Sequence, residues 1–304
     1  MAEPAIRTDG LSKSYGSVVA LEDLDMEVSA GEVFGFLGPN GAGKTTTIRL
    51  LLGLIRPSGG NAEIFGLDCQ SSSVQAHRRL SYVPAEAGLW PSLTGEETLH
   101  LLGRLNGRVD EAYRDDLVKR FDLDTSRKIR AYSRGNRQKV ILIAALMARA
   151  DLMIFDEPTS GLDPIMEHEF RQCVGEAREN GQTVFLSSHI LSEVEALCDR
   201  IAILRNGRLV EIGTLSEMRH LSALNMEITF AKEVPDLAGV PGVSGLEKDG
   251  RTVRLQLTGP VNPLLEVLAA SEIAELVSRE PSLEELFLSL YGESQLPKAI
   301  RNRG

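Results

Sequence analysis

Gly38-Pro39-Asn40-Gly41-Ala42-Gly43-Lys44-Thr45 matches a phosphate-binding pattern of a glycine, four free positions and then Gly-Lys-Thr. The apolar run at 33–37 before it predicts a buried strand, and apolar residues at helical spacing over 48–55 predict a helix after it. A glycine-rich loop between strand and helix directs backbone N–H groups to one spot, where the helix N-terminus adds partial positive charge. The stretch, with Thr46, therefore predicts a nucleoside triphosphate site.

Two side chains of this loop have distinct expected tasks. Lys44 would reach the β- and γ-phosphates, and the Thr45 hydroxyl would hold Mg²⁺. The alternative is a glycine-rich turn with a stray lysine. The nucleotide site is favoured because a predicted strand directly precedes the loop and a predicted helix directly follows it.

Composition limits the classes of function. The formal net charge of −10 over 304 residues argues against a nucleic-acid partner. Three cysteines, Cys69, Cys173 and Cys198, suit a reducing compartment and offer no zinc spacing. The N-terminus lacks a signal-peptide layout, and the longest apolar run, 140–148, is too short to span a bilayer. We therefore expect a cytoplasmic protein with at most a peripheral role at the membrane.

A second acidic segment completes the expected site. Four apolar residues at 152–155 predict a strand that ends in Asp156 and Glu157. Asp156 would hold Mg²⁺, and Glu157 would act as general base on the attacking water. The alternative is that the two carboxylates are simply a solvated end of the strand. This alternative is weaker, because adjacent carboxylates on a buried strand repel each other unless a cation lies between them. A further buried strand at 183–186 leads to His189, which is either structural or a sensor of phosphate.

The rest of the chain supports a two-domain organisation, with residues 1–215 forming the first domain. Residues 86–148 predict a helical insertion, with Thr94 and Glu97 as a capping box. Tyr15 precedes the strand that leads into the phosphate-binding loop 38–45 (the P-loop), and it is either a half-exposed aromatic or a platform for a base. Residues 216–304 predict strand, hairpin at Asp249-Gly250, helix and strand, which suggests a small ferredoxin-like α+β module. A last helix capped by Ser282 would close it.

A series of ordered motifs together resembles the ATP-binding cassette (ABC) ATPases over residues 1–215. Beyond the P-loop and Asp156-Glu157, they are Tyr132-Ser133-Arg134-Gly135-Asn136-Arg137-Gln138, Ser160-Gly161-Leu162-Asp163 and His189. The resemblance implies an α/β P-loop NTPase with a RecA-like core, an N-terminal antiparallel β subdomain and an inserted helical subdomain. Residues 216–304 resemble, more loosely, the accessory domain of ATPase subunits in some drug- and antibiotic-export systems.

The resemblance also implies roles for single residues. Two cassettes would stack head to tail, so that Ser133 and Gly135 of one chain face the P-loop of the other. Tyr15 would stack on adenine, and His189 would contact the γ-phosphate. Asp163 would lie in the loop that crosses the dimer seam.

Two segments depart from the family's pattern. The segment 132–138 resembles the family's signature motif, in which Tyr132, Arg134 and Asn136 replace usual residues, although Ser133 and Gly135 remain. Ala85 stands where the family usually has a glutamine that reaches Mg²⁺, and Glu86 is the one neighbour that could substitute. The following loop contains Trp90, the one tryptophan of the chain. It is either a core residue or the anchor for a membrane partner.

Three functions are compatible with these motifs. The first is the ATPase subunit of an ABC exporter, working as a homodimer or pseudo-dimer with an integral membrane permease on a separate chain. The second is a soluble ABC ATPase acting on DNA or ribosomes, which the negative charge and the lack of a long coiled-coil insertion disfavour. The third is a nucleotide switch without hydrolysis, which Lys44, Glu157 and His189 together disfavour.

Overall fold

The computed structural model describes residues 3–86, 88–107, 110–220 and 224–279. The chain divides into two compact units, Met1–Ile212 and Gly213–Gly304. This division is close to the predicted boundary after residue 215. The two units are described separately.

The first unit alternates strands and helices in the way that the apolar patterns predict. Its strands are β1 (Ile6–Tyr15), β2 (Val18–Val28), β3 (Val33–Leu37), β4 (Gly59–Ile64), β5 (Leu67–Asp68), β6 (Leu80–Val83), β7 (Leu152–Asp156), β8 (Thr183–Ser188), β9 (Arg200–Arg205) and β10 (Arg208–Thr214), the last of which ends just past the division. Its helices are α1 (Lys44–Leu51), α2 (Ser73–His77), α3 (Gly95–Asn106), α4 (Glu111–Arg120), α5 (Arg134–Leu146), α6 (Pro164–Glu179) and α7 (Leu191–Leu197), with a 3₁₀ turn at Ile129–Ala131.

The central sheet has the strand order β10-β9-β3-β8-β7-β6. The pairs β9–β3, β3–β8, β8–β7 and β7–β6 are all parallel. Every residue of β3, β7 and β8 is buried, as expected for parallel strands covered on both faces. Because β3, β7 and β8 are neighbours, the segments that follow them meet at one edge of the sheet. Those segments contain the P-loop, Glu157 and His189.

A second, antiparallel sheet has the order β2-β1-β4-β5. Its inner side chains pack with α1 and one face of the central sheet in a single apolar core, which includes Leu11, Leu24, Phe36, Ile48 and Ile154. The predicted N-terminal antiparallel subdomain and the α/β core are therefore confirmed.

The helical insertion is confirmed, and its first helix has the cap that the sequence predicts. The Thr94 hydroxyl accepts a hydrogen bond from the Glu97 N–H at 3.1 Å, and the Glu97 carboxylate accepts one from the Thr94 N–H at 2.8 Å. Helix α5 is buried at every position from Gln138 to Leu146. Arg120 at the end of α4 connects the insertion to α6 through ion pairs of 2.5 Å to Glu169 and 2.8 Å to Glu176.

The second unit contains α8 (Leu215–His220), β11 (Leu224–Phe230), β12 (Val243–Asp249), β13 (Thr252–Leu257), α9 (Asn262–Ala269) and β14 (Ile273–Arg279). The sheet order is β12-β13-β11-β14 with antiparallel neighbours throughout. This is the ferredoxin-like strand order, although the described residues 231–242, between β11 and β12, form no helix. The closing helix predicted after Ser282 lies outside the described residues, so the ferredoxin-like assignment stays a prediction.

Within the described part of the chain, no helix combines the length and the apolar character needed to cross a bilayer.

Candidate functional site

The P-loop lies between β3 and α1, and close backbone contacts fix its path. The Ala42 N–H donates to the Pro39 carbonyl at 3.1 Å, and the Gly207 N–H donates to the Ala42 carbonyl at 2.9 Å. Gly43 has φ +113°, and a Cβ there would lie 2.7 Å from the Ala20 carbonyl oxygen. A side chain at this position is therefore excluded both by backbone conformation and by space.

Lys44 is buried, with 5% of its surface exposed, and its ammonium group turns back toward its own loop. Nζ donates to the Gly38 carbonyl at 2.6 Å and to the Pro39 carbonyl at 3.3 Å. It also lies 3.7 Å from Oε1 of Glu157. Burial lowers the pKa of Lys44, while the carboxylates of Glu157 and Asp156 act in the opposite direction. The site thus presents a cation whose partners phosphate oxygens can replace.

Thr45 and Asp156 come together as the sequence predicts. The Thr45 hydroxyl donates to Oδ2 of Asp156 at 3.1 Å, and the Ser187 hydroxyl donates to Oδ1 at 2.5 Å. Asp156 is only 1% exposed. Two adjacent hard oxygens suit Mg²⁺, which binds through one or two protein oxygens together with waters and substrate phosphates. The residues present therefore fit the ion.

Glu157 turns out of β7 into the site through an unusual backbone conformation. Its φ of +50° is left-handed, which costs a non-glycine residue about 1 kcal/mol. A hydrogen bond of 3.1 Å from its N–H to the Ser187 carbonyl holds the turn. The side chain then places Oε1 3.2 Å from Nδ1 of His189. A carboxylate and an imidazole in this position can accept and hold protons beside the P-loop lysine.

Ser133 and Gly135 lie at the start of α5, away from the P-loop of the same chain. The Ser133 hydroxyl caps the helix by accepting from the Asn136 N–H at 3.1 Å. A Cβ on Gly135 would lie 2.7 Å from the Gly161 carbonyl oxygen. Within the described residues, neither Ser133 nor Gly135 makes a hydrogen bond to the P-loop, Asp156 or Glu157. The structure does not bring these two halves together within one chain.

The signature segment is instead attached to the loop after β7. Arg134 donates to the Ser160 hydroxyl at 2.8 Å, and the buried Gln138 amide donates to the Pro158 carbonyl at 2.9 Å. Tyr132, one of the departures, is buried, and its hydroxyl donates to the Asp124 carbonyl at 2.6 Å. Asp163 caps α6, accepting from the Ile165 and Met166 N–H groups at 3.0 Å each.

Tyr15 ends β1 with 47% of its surface exposed. The ammonium of Lys13 lies 5.0 Å from the centre of its ring. The neighbouring Val18 and Val19 are also exposed. This leaves an apolar platform on the surface, and its role in stacking on a base stays a prediction.

The segment that breaks the family's pattern lines a cleft at the signature helix. Ala85 and Glu86 share this cleft of about 280 Å³ with Arg134, Arg137 and Gln138. Trp90 lies in the loop beyond it with 43% of its surface exposed. Neither Glu86 as a substitute for glutamine nor Trp90 as an anchor is tested by these positions, and both stay predictions.

Sequence reasoning missed two contributors to the site. Ser187 follows the predicted strand at 183–186, and its hydroxyl holds Asp156. Glu193 was not expected at all, yet it is 7% exposed and accepts from the Ser188 hydroxyl at 2.6 Å. A signal was present, because a carboxylate next to Val194 and one turn before Leu197 lies on the apolar side of α7.

Comparisons with known proteins identify the family of the chain. The ABC transporter family matches residues 21–160. The chain is 36% identical to the daunorubicin resistance ATP-binding protein DrrA3 of Streptomyces coeruleorubidus, over 98% of this chain and 99% of that protein. It is 33% identical to the bacitracin transport ATP-binding protein BcrA of Bacillus licheniformis, over 94% of this chain and 97% of that protein.

Solved structures show the same fold for the cassette. An ATP-binding subunit of an ABC transporter is 34% identical with a TM-score of 0.66, covering 71% of this chain and 92% of that one. The cassette MJ0796, solved as a dimer in a post-hydrolysis state with ADP and Pi, has a TM-score of 0.63, covering 69% of this chain and 98% of that one. At 22% identity, this second likeness supports the fold alone.

Proposed function

The chain belongs to the ABC transporter family as its ATP-binding and ATP-hydrolysing subunit, and from that premise we propose which of its residues do the chemistry. The observation that carries the proposal is the meeting of five groups at one sheet edge. Thr45 lies 3.1 Å from Asp156, Lys44 lies 3.7 Å from Glu157, and Glu157 lies 3.2 Å from His189.

The P-loop binds the phosphates of ATP. Backbone N–H groups within residues 40–46 donate to phosphate oxygens, and Lys44 exchanges its carbonyl partners for the β- and γ-phosphates. Thr45 and Asp156 would hold Mg²⁺, which when bound supplies positive charge to the phosphates. Tyr15 presents its free face to the adenine base.

Glu157 is the general base. It takes a proton from a water molecule, the water oxygen attacks the γ-phosphorus, and the bond between the β,γ-bridging oxygen and the γ-phosphorus breaks, so that ADP and phosphate leave. Lys44 stabilises the charge that develops, and His189 holds the γ-phosphate against the attacking water. Ser133 and Gly135 of a second copy complete the site, because their own chain does not place them there.

The physiological task is export through an integral membrane permease on a separate chain. Relatives that match more than nine tenths of this chain are named for resistance to or transport of daunorubicin and bacitracin. We infer a substrate of the same kind, a small secreted natural product, with the subunit bound peripherally at the cytoplasmic face. This favours the exporter over the nucleic-acid and ribosome alternative.

The test is phosphate release by the purified full chain with ATP and Mg²⁺. Glu157→Gln should reduce turnover by about 10²–10⁴-fold, the usual contribution of a positioned base. Glu179→Gln, which removes an exposed carboxylate from the end of α6, serves as the control and should match the unmodified protein. Undiminished hydrolysis by Glu157→Gln would remove Glu157 from this role.

A further inference from the structure

Glu193 is a buried carboxyl group that the reaction proposed above does not use. One of its oxygens, Oε2, accepts a hydrogen bond of 2.6 Å from the Ser188 hydroxyl. The other, Oε1, is buried and has no hydrogen-bond partner in the described structure. Burying a carboxyl oxygen without a partner costs free energy, so a glutamate here needs a reason.

Glu193 determines which way the Ser188 hydroxyl points. A hydroxyl has one hydrogen to donate and lone pairs with which to accept. The Ile190 N–H donates to Ser188 Oγ at 2.9 Å, and the hydroxyl hydrogen goes to Glu193. The competing acceptor, the Ile190 carbonyl, is at 3.4 Å and is the weaker choice.

The residues on both sides of His189 are therefore fixed by one carboxyl group. Ser188 precedes the histidine and Ile190 follows it, and the bond between them closes a tight turn around it. His189 itself is 47% exposed at its side chain and makes its close contact with Glu157 at 3.2 Å. Among the described residues, Glu157 is the one side chain found in close polar contact with the imidazole, so the position of His189 depends on this turn.

The pKa of the same carboxyl group is also affected by the loop after β7. Burial raises the pKa of Glu193 above its ordinary value, and the hydroxyls of Ser188 and Thr159 partly oppose this effect. Thr159 is buried and lies between Glu157 and Asp163.

We propose that Glu193 is a positioning residue for ATP hydrolysis, which acts through Ser188 to hold His189 against Glu157. It does not touch the nucleotide. The inference rests on the proposed function of Glu157 and His189 and adds a residue to it. The alternative is that Glu193 only stabilises α7, in which case its loss would lower stability without a selective effect on turnover.

The experiment measures kcat and KM for ATP in the full chain. Glu193→Ala should lower kcat by about tenfold to a hundredfold, as small misplacements of a reacting group do, with KM within about twofold. Glu193→Gln keeps an oxygen that accepts from Ser188 and should recover most of that loss. Ser192→Ala, an exposed neighbour on α7, is the control and should behave as the unmodified protein.

A double-mutant cycle separates positioning from general stability. If Glu193 acts through His189, adding Glu193→Ala to His189→Ala should lower kcat no further. An equal fractional loss in both backgrounds, a normal kcat for Glu193→Ala, or a Glu193→Gln as slow as Glu193→Ala would each overturn the proposal.

Ser188→Ala removes the same hydrogen bond from its other end and replaces Glu193→Ala if that variant does not fold. A matching loss of kcat supports the proposal, and a normal kcat contradicts it. A chain that releases no phosphate at all would instead refute the proposed function. Normal hydrolysis that Glu157→Gln abolishes and Glu193→Ala leaves unchanged would refute only the role of Glu193.

Discussion

Oε1 of Glu157 lies 3.2 Å from Nδ1 of His189 and 3.7 Å from Nζ of Lys44. One carboxylate oxygen thus stands between the two groups that we assign to the γ-phosphate. A phosphate that enters this space meets the negative charge of Glu157 and competes with it for both partners. Removing that charge should therefore strengthen nucleotide binding while it stops turnover.

The first prediction follows from this competition. Glu157→Gln should bind ATP at least as tightly as the unmodified chain, and ATP should hold the variant as a dimer because hydrolysis cannot reset it. Size-exclusion chromatography with and without ATP measures this. A variant that stays monomeric at saturating ATP would contradict the shared site.

The second prediction concerns the trans arrangement. Ser133→Arg places a bulky cation in the partner's phosphate pocket and leaves its own P-loop intact. Mixed with Lys44→Ala protein, it should form heterodimers with one intact site, made from the P-loop of the first variant and the signature of the second. Mixed dimers purified by two different tags should contain one sandwiched nucleotide each.

The unmixed proteins provide the control for this experiment. Ser133→Arg alone should fail to close on ATP, since both of its sites would be blocked. Normal ATP-driven dimerisation of Ser133→Arg alone would show that Ser133 does not face a partner's P-loop.

The third prediction tests the close contact between Gly135 and Gly161. The added methyl of Gly135→Ala would lie 2.7 Å from the Gly161 carbonyl oxygen, so the signature segment must move away from the loop after β7. We expect a loss of stability of about 1–3 kcal/mol, typical of overpacking, and weaker ATP-driven dimerisation. Chemical denaturation and chromatography measure the two effects.

Gly175→Ala is the matched control, because a Cβ there meets nothing within 4 Å in the middle of α6. It should raise stability by about 0.4–1 kcal/mol. If Gly135→Ala were as harmless as Gly175→Ala, the two segments could not be in the tight contact described.

The fourth prediction concerns Trp90 as an anchor for the permease. An aromatic in a short loop brings large contact area at little entropic cost, and this one is 43% exposed. Trp90→Ala should preserve the fold and the basal ATPase and reduce recovery of a polytopic membrane protein from detergent-solubilised membranes. Leu265→Ala, which removes a comparably exposed apolar side chain, should not. Unfolding of Trp90→Ala would identify Trp90 as a core residue, and undiminished recovery would show that the docking surface lies elsewhere.

The fifth prediction concerns the three thiols. Burial raises the pKa of Cys69 and of Cys173 to about 12, and that of Cys198 well above its ordinary value. Thiolate is the reactive form, so at pH 8 a thiol of pKa about 12 should react on the order of 10³-fold more slowly than free cysteine. The rate should rise about tenfold per pH unit while the fold persists. The rate of thiol labelling by a chromogenic disulfide reagent, followed by absorbance, is compared between the native and the denatured protein. Fast labelling of the native protein would contradict the burial of the thiols.

The groups of the site were predictable because parallel strands deliver their carboxyl ends to one edge. Lys44, Asp156 and His189 each follow a buried apolar run, which suffices to bring them together. The cap at Thr94 was equally predictable, because its bonds to Glu97 span only three residues.

Features that depend on contacts between distant parts of the chain could not be predicted in the same way. The left-handed backbone of Glu157 belongs to a residue type that rarely adopts it, and only its bond to Ser187 makes it necessary. The partner of Glu193 depends on how α7 packs against β8. In the second unit, α9 forms as its Leu264 and Leu268 spacing predicts, but apolar spacing does not reveal that β11 and β12 are joined without a helix.

The burial of α5 has a mechanical consequence. The helix is about 20 Å long at 1.5 Å per residue, and a rod enclosed along nine successive positions cannot absorb a displacement by bending. Ser133 sits at its tip, so a tilt of about 5° moves that tip by roughly 2 Å, enough to make or break a hydrogen bond. In the proposed dimer, a small rotation of the insertion would therefore make or break the contact between Ser133 and the phosphate bound to the partner chain.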